Sequence, residues 1–363
     1  MSDIFDGFYK DKKILVTGHT GFKGSWLSMW LRELGAEVAG FALEPPSKPS
    51  LYEVSGMEGR MASVFGDVRD AVKLEETFNR YEPEMVFHMA AQSLVRYSYK
   101  APSYTYETNV LGTVNVLEAC RKTPSVRAIV NVTSDKCYDN DNAARPFREN
   151  DPMGGHDPYS SSKGCAELVT AAYVRSYFNP RDFAEHGVSL ASVRSGNAIG
   201  GGDWGKDRLI PDCVKALAEG KPVIIRYPEA VRPWQHVLEP VYGYLLLGKD
   251  LYRYGAAFSG GWNFGSDDRE ARTVRWLMDK MVTMWGQGAA WKADRGDHPY
   301  EAQHLRLDCS KAIKGLGWSP GWDLETALAN TVDWYKAYFE GKEMLPFTVR
   351  QIKKYEKTVE RRS

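Results

Sequence analysis

The sequence predicts an α/β fold: a doubly wound parallel sheet followed by a smaller domain of mixed character. Three observations predict it. Short apolar runs alternate with helical stretches through residues 1–195, the pattern of parallel strands joined by right-handed helical crossovers. A glycine-rich turn joins the first run to the first helix. From residue 196 onward Pro and Gly interrupt the chain often and the apolar runs shorten.

The bulk numbers agree with that class and exclude others. A chain of 363 residues suits two domains or one large α/β unit. Lys+Arg and Asp+Glu balance at 47 each, so neither nucleic acid nor an acidic membrane surface is the expected partner. No apolar run approaches the ~20 residues that span a bilayer. The start of the chain lacks the basic segment and apolar core of a signal peptide. Five cysteines (120, 137, 165, 213 and 309) form no CxxC pair and are odd in number, which predicts reduced thiols and a cytoplasmic location. Cys137 has no evident base and is expected to be a buried thiol. His298 and His304 have no convincing partners for a metal. No repeat period appears.

The elements follow in order. Residues 12–17 form a short buried strand. Gly18, Gly21 and Gly24 follow with GxxGxxG spacing, and a helix is expected over 26–34. Glycines between a strand and a helix let the backbone turn tightly and approach a pyrophosphate seated on the helix N-terminus. Gly18, Thr20, Gly21, Phe22, Lys23 and Gly24 are therefore candidate dinucleotide contacts, and the sheet is of the Rossmann kind. Strand 38–43 ends in Ala42 and Leu43, where an acid for the adenosine ribose would stand; Glu44 is the nearest candidate. NAD and NADP both stay open at that position. Strand 62–68 carries Asp67 and Val68. Asp67 either reaches the adenine edge or caps a helix beginning near Arg69. Strand 85–91 runs into Ala90 and Ala91, whose small side chains let a cofactor pass close by. A helix over 104–120 leads to strand 126–132, which ends at Ser134 and Asp135.

Tyr159 and Lys163 lie four residues apart on a helix expected over 159–177, so they share one face. A cationic Lys beside a Tyr stabilises the phenolate, which makes the pair a base. A sixth strand covers 188–194. Beyond it come a helix over 208–217, a strand over 222–227, a helix over 324–338 capped by Asp323, and an exposed helix or frayed tail from 350 to 363. Arg232 is the leading diphosphate clamp, since a guanidinium grips phosphate oxygens as a fork. Arg208, Arg194 and Arg295 are further candidates; Asn197 is by type a turn residue.

Residues 17–24, Gly66-Asp67-Val68, His88-Met89-Ala90-Ala91-Gln92, Asn109-Val110-Leu111-Gly112-Thr113 and residues 159–163 together resemble the extended short-chain dehydrogenase/reductases. Within that family, residues 91–96 and Ser134-Asp135-Lys136 resemble the sugar-nucleotide 4,6-dehydratases. The resemblance implies NAD as cofactor, with Gln92 and Asn109 added to its contacts. It implies a nucleotide-sugar substrate, CDP-glucose in particular, with Asn197 bonding its sugar or diphosphate, and a homodimer or homotetramer. It also implies a route toward the 3,6-dideoxyhexoses of bacterial surface polysaccharides. Residues 1–195 would form the cofactor domain carrying the catalytic groups. Residues 196–363 would mainly bind the nucleotide sugar, with some segments returning to the first domain.

The chemistry so implied gives each residue a role. Oxidation at C4 acidifies the C5 hydrogen, and water then leaves across C5 and C6. Tyr159 takes the C4 hydroxyl proton, Lys163 holds the tyrosinate and the cofactor ribose, and Ser134 orients the C4 oxygen. Asp135, protonated, gives a proton to the departing C6 hydroxyl. Lys136 is either the C5 base, which requires a depressed pKa, or a solvated loop charge balancing Asp135. An epimerase or reductase on the same fold, or a dehydratase taking a GDP, dTDP or UDP sugar, is the alternative.

Overall fold

A computed structural model gives the structure of the protein and describes residues 4–140, 145–206, 208–266, 271–286, 288–294, 296 and 305–362. Seven parallel strands form the central sheet: β1 (Lys13–Thr17), β2 (Glu37–Ala42), β3 (Ala62–Phe65), β4 (Met85–His88), β5 (Ala128–Val132) and β6 (Ser189–Ser195), joined late in the chain by β11 (Gly260–Phe264). Their order is β11-β6-β5-β4-β1-β2-β3. The order reverses at β1, where β2 lies on one side and β4 on the other. In an open parallel sheet that reversal leaves a crevice at the carboxyl ends of the strands.

Side chains alternate across this sheet as strand geometry requires. Ile14, Val16, Met85, Phe87, Val130 and Val193 enter one core with Trp26, Trp30, Tyr244 and Leu245. Leu15, Val86, Ile129 and Leu190 enter the other with Leu74, Phe78, Val116 and Leu117. Both faces are covered, so the strands read as continuous apolar runs with little alternation. The helices Phe22–Glu33 and Leu238–Tyr254 lie on the first face, and Ala71–Tyr81 and Gly112–Lys122 on the second.

Small pairs of strands make up the rest: β7 (Asn197–Ile199) with β10 (Trp234–His236), β9 (Val231–Arg232) with β12 (Arg272–Thr273), and β8 (Val223–Ile225) with β13 (Trp291–Ala293). Among the described residues no helix is long and apolar enough to cross a membrane.

Several elements differ from expectation. The first helix begins at Phe22, because Gly24 packs in its first turn against the loop it follows. The stretch expected as one helix over 104–120 is the run Pro102–Tyr106, a π-helical turn Glu107–Leu111, and Gly112–Lys122. The end of the chain is no frayed tail. Met344–Glu360 is a helix that buries Ile352, Tyr355 and Val359, and the Trp30 indole donates to Glu356 at 2.8 Å. Its apolar residues recur at i, i+3 and i+7 on the buried side, which also carries Glu356, the pattern of a docked helix.

Candidate active site

The glycine loop fixes one end of the crevice. Gly18 has φ +77°, and a Cβ there would stand 2.7 Å from the Ala90 backbone nitrogen. Only glycine lets the β1 turn and the β4 exit pass this closely. The Thr17 hydroxyl accepts from the backbone N–H groups of Met89 and Ala90 at 3.1 and 3.2 Å, so loop and strand end are tied. Thr20 donates to the Leu43 carbonyl at 2.9 Å. Gly24 packs directly on the Gly18 carbonyl. Behind the loop, burial holds His19 down at about 4, and its ring bonds Ser63 at 3.1 Å.

The next shell orders the strand ends. The Asn109 amide accepts from Gln92 N at 2.8 Å and donates to Gln92 O at 3.0 Å and to Ser162 Oγ at 2.8 Å. It thereby staples the exit of β4 to the helix Pro158–Ser176. The Gln92 side chain is in turn taken up by Leu94 and Thr105. Asp67 does not cap a helix: Asp70 does, accepting from Lys73 N at 3.0 Å. The Asp67 carboxylate is gripped by Arg69, with Nη2 at 2.8 Å, and that cation holds it below the usual carboxylate range although burial opposes. Val68 is buried against Gly112.

Strand β5 delivers Ser134 and Asp135 to the same edge, and the helix Pro158–Ser176 delivers Tyr159 and Lys163. That helix starts sharply because Asp157 caps it, accepting from Ser160 N at 3.0 Å, with Pro158 next in sequence. All four side chains are buried. Ser134 is their meeting point: it donates to Asp135 Oδ1 at 3.0 Å, accepts from Lys136 N at 3.2 Å, and bonds the Tyr159 phenol.

The electrostatics divide these groups. Burial raises the Asp135 carboxyl, against the opposing charges of Lys136 and Lys23, so it holds its proton at a higher pH than a free carboxyl would. Burial pushes the Tyr159 phenol up to about 12. Ser134 and the charge of Arg208 pull it down, whereas a negative Asp135 pushes it further up. A protonated Asp135 therefore makes the tyrosinate easier to form. Lys163 is brought down to about 8 by burial and by the charge of Lys23, with Glu167 opposing. Its ammonium lies 3.4 Å from the Val132 carbonyl. Lys136 is half-buried on the rim.

The other predicted residues differ in where the fold puts them. Arg208 belongs to the site: half-buried, it donates to Asp203 at 2.8 Å and to Ser93 at 3.3 Å, and it interacts with Tyr159. Asn197 is exposed at the start of β7, opposite Trp234. Arg232 lies in β9 opposite Arg272, next to Pro233, which lines a cleft onto Asp135 with Gly196, Gly265, Ser266 and Arg306. Arg295, like His298 and His304, lies outside the described residues. Arg194 is corrected: it is no phosphate ligand but is buried in an ion pair with Glu167 at 2.7 Å, because β6 points it into the molecule. Cys137 is fully buried, and burial raises its thiol.

Some contributors carry no motif. Glu167 bonds Arg194, Ser192 and Thr133, and Arg194 Nη1 donates to Tyr138 at 2.6 Å. This buried network backs the loop that presents Ser134 and Asp135. Its one sequence signal is spacing: Glu167 stands four residues after Lys163, on the same helix face. Lys23 reaches Ser195 at 2.7 Å, and Ser195 reaches Tyr244 at 2.8 Å. Neither partner was marked by a pattern.

Comparison with known proteins completes the picture. A family model described as GDP-mannose 4,6 dehydratase matches residues 15–331. The chain is 54% identical over 352 residues to the CDP-glucose 4,6-dehydratase of Salmonella typhimurium, covering 97% of this chain and 98% of that one. It is 28% identical to the dTDP-glucose 4,6-dehydratase of Shigella flexneri, over 90% of this chain and 93% of that one. A double mutant of the dTDP-glucose 4,6-dehydratase of Streptomyces venezuelae, solved with NAD bound, superposes with a TM-score of 0.73 at 27% identity, covering 92% and 99% of the two chains. The UDP-glucose 4-epimerase of Thermus thermophilus, also solved with NAD, gives 0.75 at 25% identity over 89% and 98%.

Proposed function

The chain belongs to the GDP-mannose 4,6-dehydratase family, the sugar-nucleotide 4,6-dehydratases of the extended short-chain dehydrogenase/reductases, and from that premise we infer that it converts CDP-D-glucose to CDP-4-keto-6-deoxy-D-glucose with NAD. The observation that carries the reaction type is the buried carboxyl of Asp135, raised by its surroundings and one hydrogen bond from the Ser134 that also bonds Tyr159. Epimerases share the fold at a similar TM-score, but an epimerase has no need of an acid at the C6 hydroxyl. The choice of cytidine rests on the 54% identity to the Salmonella enzyme.

The residues present fit NAD. The Gly18 turn leaves no room for a side chain between loop and strand, which is how backbone approaches a pyrophosphate. Lys163 offers a buried ammonium beside the ends of β5 and β6 for ribose hydroxyls. NAD, when bound, accepts the C4 hydrogen as hydride and later returns it to C6.

The chain's own residues do the rest. Tyr159 takes the proton of the C4 hydroxyl, and Ser134 shares that oxygen and holds it in place. With a ketone at C4, the C5 hydrogen becomes acidic. Lys136, beside Asp135, is in its neutral form the base that removes it, and it returns a proton to C5 as C6 takes up hydride. Asp135 gives its proton to the C6 oxygen as the C6–O bond breaks, and water departs. Arg208 eases the ionisation of Tyr159, and Arg232 and Asn197 serve the diphosphate and sugar from the second half of the chain.

The protein acts in the cytoplasm as a homodimer or homotetramer. Five free cysteines support the compartment. Exposed Tyr97, Tyr99, Leu111 and Leu168 support the assembly; they lie on the helical segments 95–111 and Pro158–Ser176 and supply an apolar surface for a second copy.

The test is a substrate panel. Offered CDP-, dTDP-, GDP- and UDP-glucose with NAD, the protein is expected to form the alkali-absorbing 4-keto-6-deoxy sugar from CDP-glucose, without net reduction of NAD. Preference for another nucleotide would overturn the cytidine reading. Isomerised sugar without a ketone would overturn the dehydratase reading.

A further inference from the structure

Lys23 is an odd residue for its place. It stands at the second position of the helix Phe22–Glu33, where a cation opposes the helix dipole. Burial brings its ammonium down to about 8. An apolar side chain of similar length would fill the same volume at no such cost.

Its side chain does not stay with the loop. It crosses to the end of β6, where Nζ donates to Ser195 Oγ at 2.7 Å, and Ser195 Oγ meets the buried Tyr244 hydroxyl at 2.8 Å. The next residue, Gly196, lies against the acid: a Cβ there would sit 3.2 Å from Asp135 Oδ2. The ammonium is thus anchored beside the wall of the Asp135 cleft. The charged groups acting on it are Asp135 and Asp203, which favour the cation, and Arg208, which opposes it. Lys23 in turn opposes the charge on Lys163. Asp135 feels Lys136 and Lys23 as its cations, and the phenols of Tyr159 and Tyr244 feel its charge.

We propose that Lys23, anchored by Ser195 and Tyr244, is a positioning residue for the dehydration step, the counter-ion that receives the Asp135 carboxylate as its proton passes to the departing C6 hydroxyl. The balance is complete without another reactant. The Asp135 O–H, sugar C6–O and C5–H bonds break, an O–H bond of water forms, the C5 proton passes to Lys136, and the C5–H electron pair becomes the C5–C6 double bond. The negative charge left on Asp135 develops only in that step. A fixed cation whose charge reaches that carboxylate therefore stabilises the transition state more than the ground state. The proposal rests on Asp135 being the acid, and the test separates the two.

Lys23→Met, Lys23→Arg and Asp135→Asn are compared on CDP-glucose and on its 6-deoxy-6-fluoro analogue, with NAD saturating as judged by tryptophan fluorescence quenching. Fluoride leaves without a proton and does not need the acid. Lys23→Met is expected to lose about tenfold or more on the 6-hydroxyl substrate and less than about threefold on the fluoro analogue, the size of a modest electrostatic contribution to one step. Lys23→Arg is expected to restore most of the loss. An equal loss on both substrates makes Lys23 a cofactor or packing residue and overturns the proposal. If Asp135→Asn also loses equally on both, the acid reading falls; if only Lys23→Met does, the acid stands and the proposal alone fails. Ser195→Ala, which removes the anchor and keeps the cation, carries the same expectation at smaller size should Lys23→Met not fold.

Discussion

Replacing Asp135 with Asn keeps the shape of the site and removes the proton donor proposed for it. General-acid assistance typically contributes ~10²–10⁴ in rate, so turnover of CDP-glucose by Asp135→Asn is expected to fall by about that much. Oxidation at C4 should survive, because Tyr159 and Ser134 remain, and an Asn, like the protonated Asp135, carries no negative charge to oppose the tyrosinate. Stopped-flow absorbance of reduced nicotinamide is therefore expected to appear and persist in this variant; its absence would put Asp135 in the oxidation step instead. At this scale the sequence was legible where chemistry is local. Tyr159 and Lys163 announce themselves by helical spacing, and Ser134-Asp135 by standing at a strand end. Lys23–Ser195 does not, because its partners are 172 positions apart and no periodicity links them. Asn109 illustrates the same limit from the other side. Its motif is visible, yet its amide is occupied by Gln92 and Ser162, an arrangement that only the folded chain discloses.

The helix Pro158–Ser176 joins catalysis to the core. Tyr159 and Lys163 stand on it, and one turn further Glu167 meets Arg194 from β6 at 2.7 Å, with both side chains buried. Arg194 raises the value of the arrangement by lowering the Glu167 carboxyl, against burial. Breaking a buried pair by removing one partner leaves the other charge unpaired, at a cost of about 3–5 kcal/mol. Glu167→Gln is thus expected to lose roughly that much stability, read as a lower midpoint in urea, with the loop 134–138 loosened most in hydrogen exchange. A midpoint unchanged from the parent would show that the pair is not structural. Element prediction from sequence fails in two physically distinct ways here. Gly260–Phe264 is GGWNF, with two glycines and no β-branched residue, so nothing in it signals a strand; pairing with β6 decides its state. Leu238–Tyr254 contains Pro240, Gly243 and Gly248 and is buried nearly all round, so it shows breakers and no amphipathic stripe, although it is one continuous helix.

Across the whole molecule, the helix Leu238–Tyr254 is tied to residues 321–322 and to the helix Met344–Glu360 through one carboxyl. Glu239 accepts from Gly321 N at 2.7 Å, Trp322 N at 2.8 Å and the Tyr355 hydroxyl at 2.5 Å. Burial outweighs these donors and raises it from 4.5 to about 7. Between those values the folded protein holds a proton that the unfolded chain has lost. This group's contribution is therefore complete below the unfolded value and lost as pH rises through about 7, a change of roughly 3 kcal/mol. Compared with Glu239→Gln, the parent protein is expected to lose that margin in urea unfolding between pH 4.5 and 8. A difference between the two that stays constant with pH would contradict it.

The Gly18 turn, Asp135 and Tyr159 lie at the carboxyl ends of the central strands, and in the proposed reaction one hydrogen leaves C4 and comes back at C6 without exchanging with water. The decisive measurement is the fate of deuterium placed at C4 of CDP-glucose, followed by mass spectrometry and NMR of the product. The deuterium is expected at C6 of the 4-keto-6-deoxy sugar. Product carrying only solvent hydrogen at C6 would contradict it.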